Sequence, residues 1–178
     1  MSNLPALLLE LEKAVNAVEP RVLKGWKPGL SDEEIDAIMA NVPFRLPDDL
    51  RELYKWKTPL DFGYSYLGAL WHAIPLAPNE EVSNQTREEL REDWEREGIA
   101  LPLDLESIGF LDVFYDGAGS ELVALCFPNQ NKTCEIRCRE KGGAGFSLMF
   151  RGVKPMIRTA LEWWKNGVFH SPYEHLAL

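Results

Sequence analysis

The residues best suited to hold a metal or act as nucleophiles are three cysteines, at 126, 134 and 138, and three histidines, at 72, 170 and 175. Their spacing supplies no CxxC pair, no HExxH helix and no paired zinc knuckle. Cys134 and Cys138 fall on one face of a strand, about 13 Å apart at strand rise, too far to share one zinc ion. They read as core or half-buried thiols, and no metal or other cofactor is expected. Gly142-Gly143-Ala144-Gly145 lacks the Lys-Ser/Thr that follows a phosphate-cradling loop, so it reads as a turn. Ser120 follows Gly117-Ala118-Gly119, but a serine elbow needs glycine two residues to either side, and position 122 is Leu. A Cys–His pair stays open, because such partners meet only in space. Asp112 and Asp116 border a hairpin. Asp116 precedes Gly117 and reads as a turn former, and Val113, Phe114 and Tyr115 break the alternation that a calcium loop requires.

Binding chemistry has more to work with. Six aromatics lie within residues 54–71: Tyr54, Trp56, Phe62, Tyr64, Tyr66 and Trp71. Tyrosine and tryptophan offer large, stiff, amphipathic contact area and concentrate at interface centres. Trp56 and Trp71 suit core filling as well as a surface, whereas Phe62, Tyr64 and Tyr66 lie among turn residues. The charge is uneven. The chain carries 19 basic and 28 acidic residues, net −9, and residues 79–106 alone carry 3 basic and 10 acidic residues, net −7. Residues 132–178 carry 8 basic and 4 acidic, net +4. An acidic middle with a mildly basic end is no nucleic-acid footprint, which needs a basic face. It suits a basic protein partner or serves solubility alone. The candidate contact set is Phe62, Tyr64, Tyr66, Trp71, Glu88, Glu89, Glu92, Asp116 and Glu121.

These residues must be positioned by ordinary elements. Leu7, Leu8, Leu11, Val15 and Val18 recur at helical spacing over 5–19, with Pro5 in the first turn and Pro20 ending it. Trp26-Lys27-Pro28-Gly29 reads as a turn or loop. Ser31-Asp32-Glu33-Glu34 is a capping box, followed by an apolar face of Ile35, Ile38, Met39 and Val42, with Pro43 as the stop. Pro47, Asp48 and Asp49 start another helix whose inner face is Leu50, Leu53 and Tyr54. Ala73-Ile74-Pro75-Leu76 reads as a short edge strand, because Pro75 cannot donate to a ladder. Residues 80–97 predict an exposed helix anchored by Val82, Leu90 and Trp94 and capped by Gly98. Residues 110–115 and 121–127 read as a hairpin around a tight turn at 116–119. Cys134, Ile136 and Cys138 alternate with Glu135, Arg137 and Arg139, a half-buried strand. Residues 146–150 are a further strand, and Ile157, Leu161, Trp164 and Val168 space as a closing helix, with Trp163 also free to pack.

A chain of 178 residues favours a single domain able to bury a core without staples. Its 46% hydrophobic and 26% charged residues are ordinary for a globular protein. No run of 18 apolar residues predicts a membrane span. The first residues lack a basic region, which argues against a signal peptide. The odd, sparse cysteine count suits a reducing, cytoplasmic setting.

The order Ser31-Asp32-Glu33-Glu34-Ile35, the helix LPDDLRELYKW over 46–56, Ile74-Pro75-Leu76, and Phe110-Leu111 leading into DGAGSELVAL over 116–125 resembles the SUKH superfamily. That family includes the domain of the fungal cell-wall-assembly regulators and many bacterial proteins. The resemblance covers residues 30–170 and leaves 1–29 as an N-terminal helical extension. It implies an α+β fold: helices packed on a twisted, mainly antiparallel central sheet, closed by a C-terminal helix. It also implies a non-enzymatic binding role, as an immunity-type protein that neutralises a secreted toxin or, alternatively, as an intracellular adaptor. The sequence departs from the family where Leu125 stands for a common acidic residue and where Pro128-Asn129-Gln130-Asn131 replaces a glycine-rich turn. An uncharacterised hydrolase is the third reading; it would need a pocket with a shifted ionisable group, which no motif here demands.

Overall fold

The structure is a computed structural model that describes residues 3–24, 26–59, 63–65, 68–74, 76, 84–99, 105–115, 120–128, 131–139 and 145–167; for 59, 63–65, 68–73 and 84 it describes the backbone alone. Phe62, Tyr66, Pro75, Val82, Asp116, the 116–119 turn, residues 142–144, Val168, His170 and His175 lie outside the described residues.

The first helix, α1 (Leu4–Val18), starts where the Asn3 side chain accepts from the Ala6 amide at 3.0 Å, with Pro5 in the first turn. Leu7, Leu8, Leu11 and Val15 are buried as the spacing requires. Val18 is not; it is 53% exposed. The stripe ends one position later on Glu19, which is buried and ion-paired to Arg21 at 2.7 Å. The segment read as an extension thus supplies part of the main core, packing on the closing helix α5 (Val153–Lys165).

The expected loop at Trp26 is instead a strand, β1 (Trp26–Pro28), paired antiparallel with β2 (Lys57–Pro59). Its partner lies some thirty residues on in the chain, so local turn chemistry alone could not reveal it. The rings of Trp26 and Trp56 sit 6.2 Å apart, and the Trp56 indole donates to Glu12 at 3.2 Å.

Helix α2 (Asp32–Met39) carries the full capping box between Ser31 and Glu34. Ile35 is buried, but Ile38, read as part of the inner face, is 38% exposed. An ionic seam supplements that narrow apolar contact. Arg51 and Lys55 of α3 (Asp48–Trp56) reach Asp32 at 2.7 and 2.8 Å, and Arg51 also pairs with Asp36. These cations hold the Asp32 carboxyl below the usual carboxylate range, the Lys55 hydrogen bond foremost. Leu50, Leu53 and Tyr54 form the buried face of α3 as read from the sequence.

Six strands make the main sheet: β3 (Gly63–Ser65), β4 (Gly68–Ala73), β5 (Gly109–Tyr115), β6 (Glu121–Cys126), β7 (Glu135–Arg139) and β8 (Phe146–Phe150). They pair antiparallel in chain order. The expected edge strand at 73–76 is displaced. The strand is β4, ending at Ala73, and it lies between β3 and β5. Ile74 continues as far as one amide bond to the Val113 carbonyl, at 3.0 Å. The proline follows the end of an inner strand rather than marking an edge.

Period-two alternation sorts the sheet into two faces. Leu111, Val113, Leu122, Ala124, Cys126 and Ile136 join α1, α3 and α5 in the large core. Phe110, Val123, Leu125 and Phe146 form a second, smaller core beneath α4 (Asn84–Arg96). Among the described residues, no helix is long and apolar enough to cross a membrane. The α+β expectation holds: helices on an antiparallel sheet, closed by a C-terminal helix.

One carboxylate joins the starts of two helices. Asp49, in the first turn of α3, accepts from the Thr133 hydroxyl at 2.9 Å and from the Val153 amide that opens α5 at 3.0 Å. Its other oxygen, Oδ1, is buried with no hydrogen-bond partner. Burial pushes the Asp49 carboxyl above its ordinary value of 3.8, outweighing the amide and hydroxyl donors. The folded state therefore binds the proton more tightly than the unfolded state, and this group's contribution to stability falls as pH rises from 3.8 through the raised value. Replacing Asp49→Asn is expected to remove that slope, read from denaturant unfolding at a series of pH values; an unchanged slope would assign it to other groups. Truncating Leu53→Ala, 4% exposed, is expected to cost about 2–5 kcal/mol in the same assay.

Candidate binding surface

Helix α4 has few apolar anchors, as its sequence suggests, and the structure shows what replaces them. Leu90 and Trp94 are buried against the sheet. Asp93 and Glu97 share their stripe at spacings of three and four, and their carboxylates turn inward too. The Asp93 side chain is 4% exposed; it accepts the Phe146 amide and pairs with Arg96 at 2.7 Å. Gly145 makes the approach possible, with φ +138°, because a Cβ there would lie 2.6 Å from Asp93 Oδ2.

Glu97 reaches Arg137, the central charge of this layer. Arg137 is fully buried on β7. Its guanidinium donates to both Glu97 oxygens at 3.1 and 3.0 Å, to Glu135 at 3.1 Å and to the Phe146 carbonyl at 2.7 Å. It also sits 5.6 Å from the centre of the Trp94 ring, a cation–π distance. The sequence alternation predicts a half-buried β7 with Arg137 on its polar side; the structure corrects this, since α4 covers that side. At the other end of the helix, Arg87 donates to the Leu105 and Ile108 carbonyls at 2.5 and 3.4 Å and lies 5.4 Å from the Phe110 ring centre. The chain leaves α4 through a glycine cap. Gly98 has φ +67°, the Gly98 amide bonds the Glu95 carbonyl at 3.2 Å and the Ile99 amide bonds Trp94 at 2.8 Å.

The outward face is thus held fixed by its inward one. Glu88, Glu92 and Glu95 are exposed along it. Glu88 pairs with Arg91, and Glu89 accepts from Gln85 at 2.9 Å. A cleft of about 250 Å³ beside the helix is lined by Arg87, Glu88, Arg91, Leu105 and Glu106.

The rest of the candidate set lies elsewhere. Glu121 is on β6 and ion-paired to Arg139 of β7. Tyr64, expected among turn residues, lies instead in strand β3, opposite His72 of β4, and Trp71 lies in β4. Strand order puts β3 at one edge of the sheet and β8, against which α4 packs, at the other. Phe62, Tyr66 and Asp116 are outside the described residues. Cys126 and Cys134 are buried free thiols and Cys138 is half-buried, as the strand pattern suggests. Among the described residues, no group of three or more His, Cys, Asp or Glu side chains is placed to hold a metal. Comparison with protein-family models, curated proteins and solved structures finds no match to this chain.

Sequence reasoning missed Arg137, Asp93 and Glu97 as a unit. The available signal was two acids on the same helical stripe as Leu90 and Trp94. Removing the cation strands two partly buried carboxylates and a carbonyl, so Arg137→Ala is expected to cost about 3 kcal/mol. Hydrogen exchange should show α4 losing protection first; equal loss across the sheet would mean that Arg137 does not specifically hold the helix.

Proposed function

We propose that this protein is a non-enzymatic binding module of the immunity type, acting in the cytoplasm to neutralise a secreted toxin by direct contact with the toxin's basic surface. The observation that carries this reading is the division of carboxylates on α4. Asp93 and Glu97 are bonded into the fold, while Glu88, Glu92 and Glu95 stand exposed on a helix pinned near both ends. Anchored carboxylates lose little freedom on binding, which lowers the cost of forming an interface. The overall charge of −9 supports attraction of a cationic partner, and the resemblance of the 46–56 and 116–125 segments to the SUKH superfamily supports the immunity role.

The experiment is binding kinetics against the product of the neighbouring open reading frame, at low and moderate salt. The combined reversal Glu88→Lys, Glu89→Lys and Glu92→Lys is expected to slow association roughly tenfold at low salt and flatten its salt dependence, with a smaller effect on dissociation. Association at the wild-type rate would remove α4 from the interface. Absence of binding at micromolar concentration would overturn the immunity reading.

A further inference from the structure

Three cysteines allow three pairings, and the sheet register selects one. The last pair of the β6–β7 ladder is Leu125 with Glu135, and one more step sets Cys126 opposite Cys134. Residues directly opposed on antiparallel strands have Cα atoms about 4.5–5.5 Å apart. That separation lies inside the disulfide range of about 4.4–6.8 Å. Both side chains point into the same core, at 0% and 2% exposure. Cys138 is registered against Leu122, four residues further along the ladder, beyond reach of either. The segment joining the pair has exposed Pro128, Lys132 and Thr133 but is bonded to the start of α3. The Asp48 and Asp49 amides donate to the Asn131 and Lys132 carbonyls at 2.8 and 3.3 Å, and the Thr133 hydroxyl donates to Asp49 at 2.9 Å, so an oxidant reaches the thiols only when those bonds release.

We infer that Cys126 and Cys134 form a cross-strand dithiol that closes to a disulfide when the folded protein meets a small disulfide oxidant such as oxidised glutathione. One thiol loses its proton on local opening and attacks the oxidant, releasing one glutathione and leaving a mixed disulfide. The second cysteine, losing its own proton, displaces the other glutathione. Two cysteines are oxidised, and one glutathione disulfide is reduced to two thiols. Burial raises both thiols above the ordinary cysteine range, and the neighbouring Asp49 carboxylate adds to it, so closure is slow and follows the opening of the hairpin end. The inference stands independently of the toxin-binding reading.

The test equilibrates folded wild type and Cys138→Ala in glutathione buffers of increasing oxidising strength, with circular dichroism confirming the fold, then alkylates and digests with trypsin. Cleavage after Arg96, Lys132 and Arg137 places the three cysteines on separate peptides, 97–132, 133–137 and one beginning at 138. The expected result is a reducible link between peptides 97–132 and 133–137 in both proteins, with Cys138 alkylated in wild type. A link to Cys138, glutathione adducts alone, or full alkylation in the most oxidising buffer would overturn the proposal.

Discussion

The outer layer of this protein depends on one buried positive charge. Arg137 sits with no solvent exposure between the sheet and α4, and an isolated guanidinium in that position would be prohibitively costly. Its environment answers it completely: two carboxylates, a backbone carbonyl and the face of Trp94. A helix with only Leu90 and Trp94 as fully buried apolar side chains has little hydrophobic reason to choose one position on a sheet. The Glu97–Arg137 fork, the Asp93 bond to Phe146 and the Arg87 bonds to two carbonyls fix that position. Directional contacts thus set the geometry of the layer, and burial of the small aromatic core adds the stabilisation.

The opposite face follows different physics. There α1, α3 and α5 cover the sheet with a continuous apolar core, and polar groups enter mainly at helix ends. Asp49 is the clearest of these. Its carboxylate faces the positive ends of two helices at once, which ties the start of α3 to the start of α5. The cost is a buried oxygen without a partner and a carboxyl that resists ionisation. Where α2 meets α3, the contact is ionic and exposed, a cheaper and more salt-sensitive attachment.

The two layers bear differently on the proposed binding role. The large core explains why the chain folds. The α4 layer explains how an acidic segment can become an ordered surface, since a helix of mixed charge lying free would present its carboxylates in no fixed arrangement. Its inward acids are the reason its outward acids hold their places.

Much of the fold was legible in the sequence because its signals are local. The capping box at Ser31–Glu34, the buried stripe of α3, the glycine cap after α4 and the β5–β6 hairpin each involve residues close in the chain. The misreadings share one cause. The β1–β2 pairing, the inner position of β4 and the burial of Arg137 all depend on partners distant in sequence. Period two in β7 said that alternate residues face opposite ways; it could not say that both faces are covered. For the candidate surface, composition alone determined that residues 79–106 are strongly acidic. Tertiary structure decided which of those acids stand clear of the sheet and which bond to it. A carboxylate's role is set by whether a cation waits beneath it, and only the packed sheet placed Arg137 there.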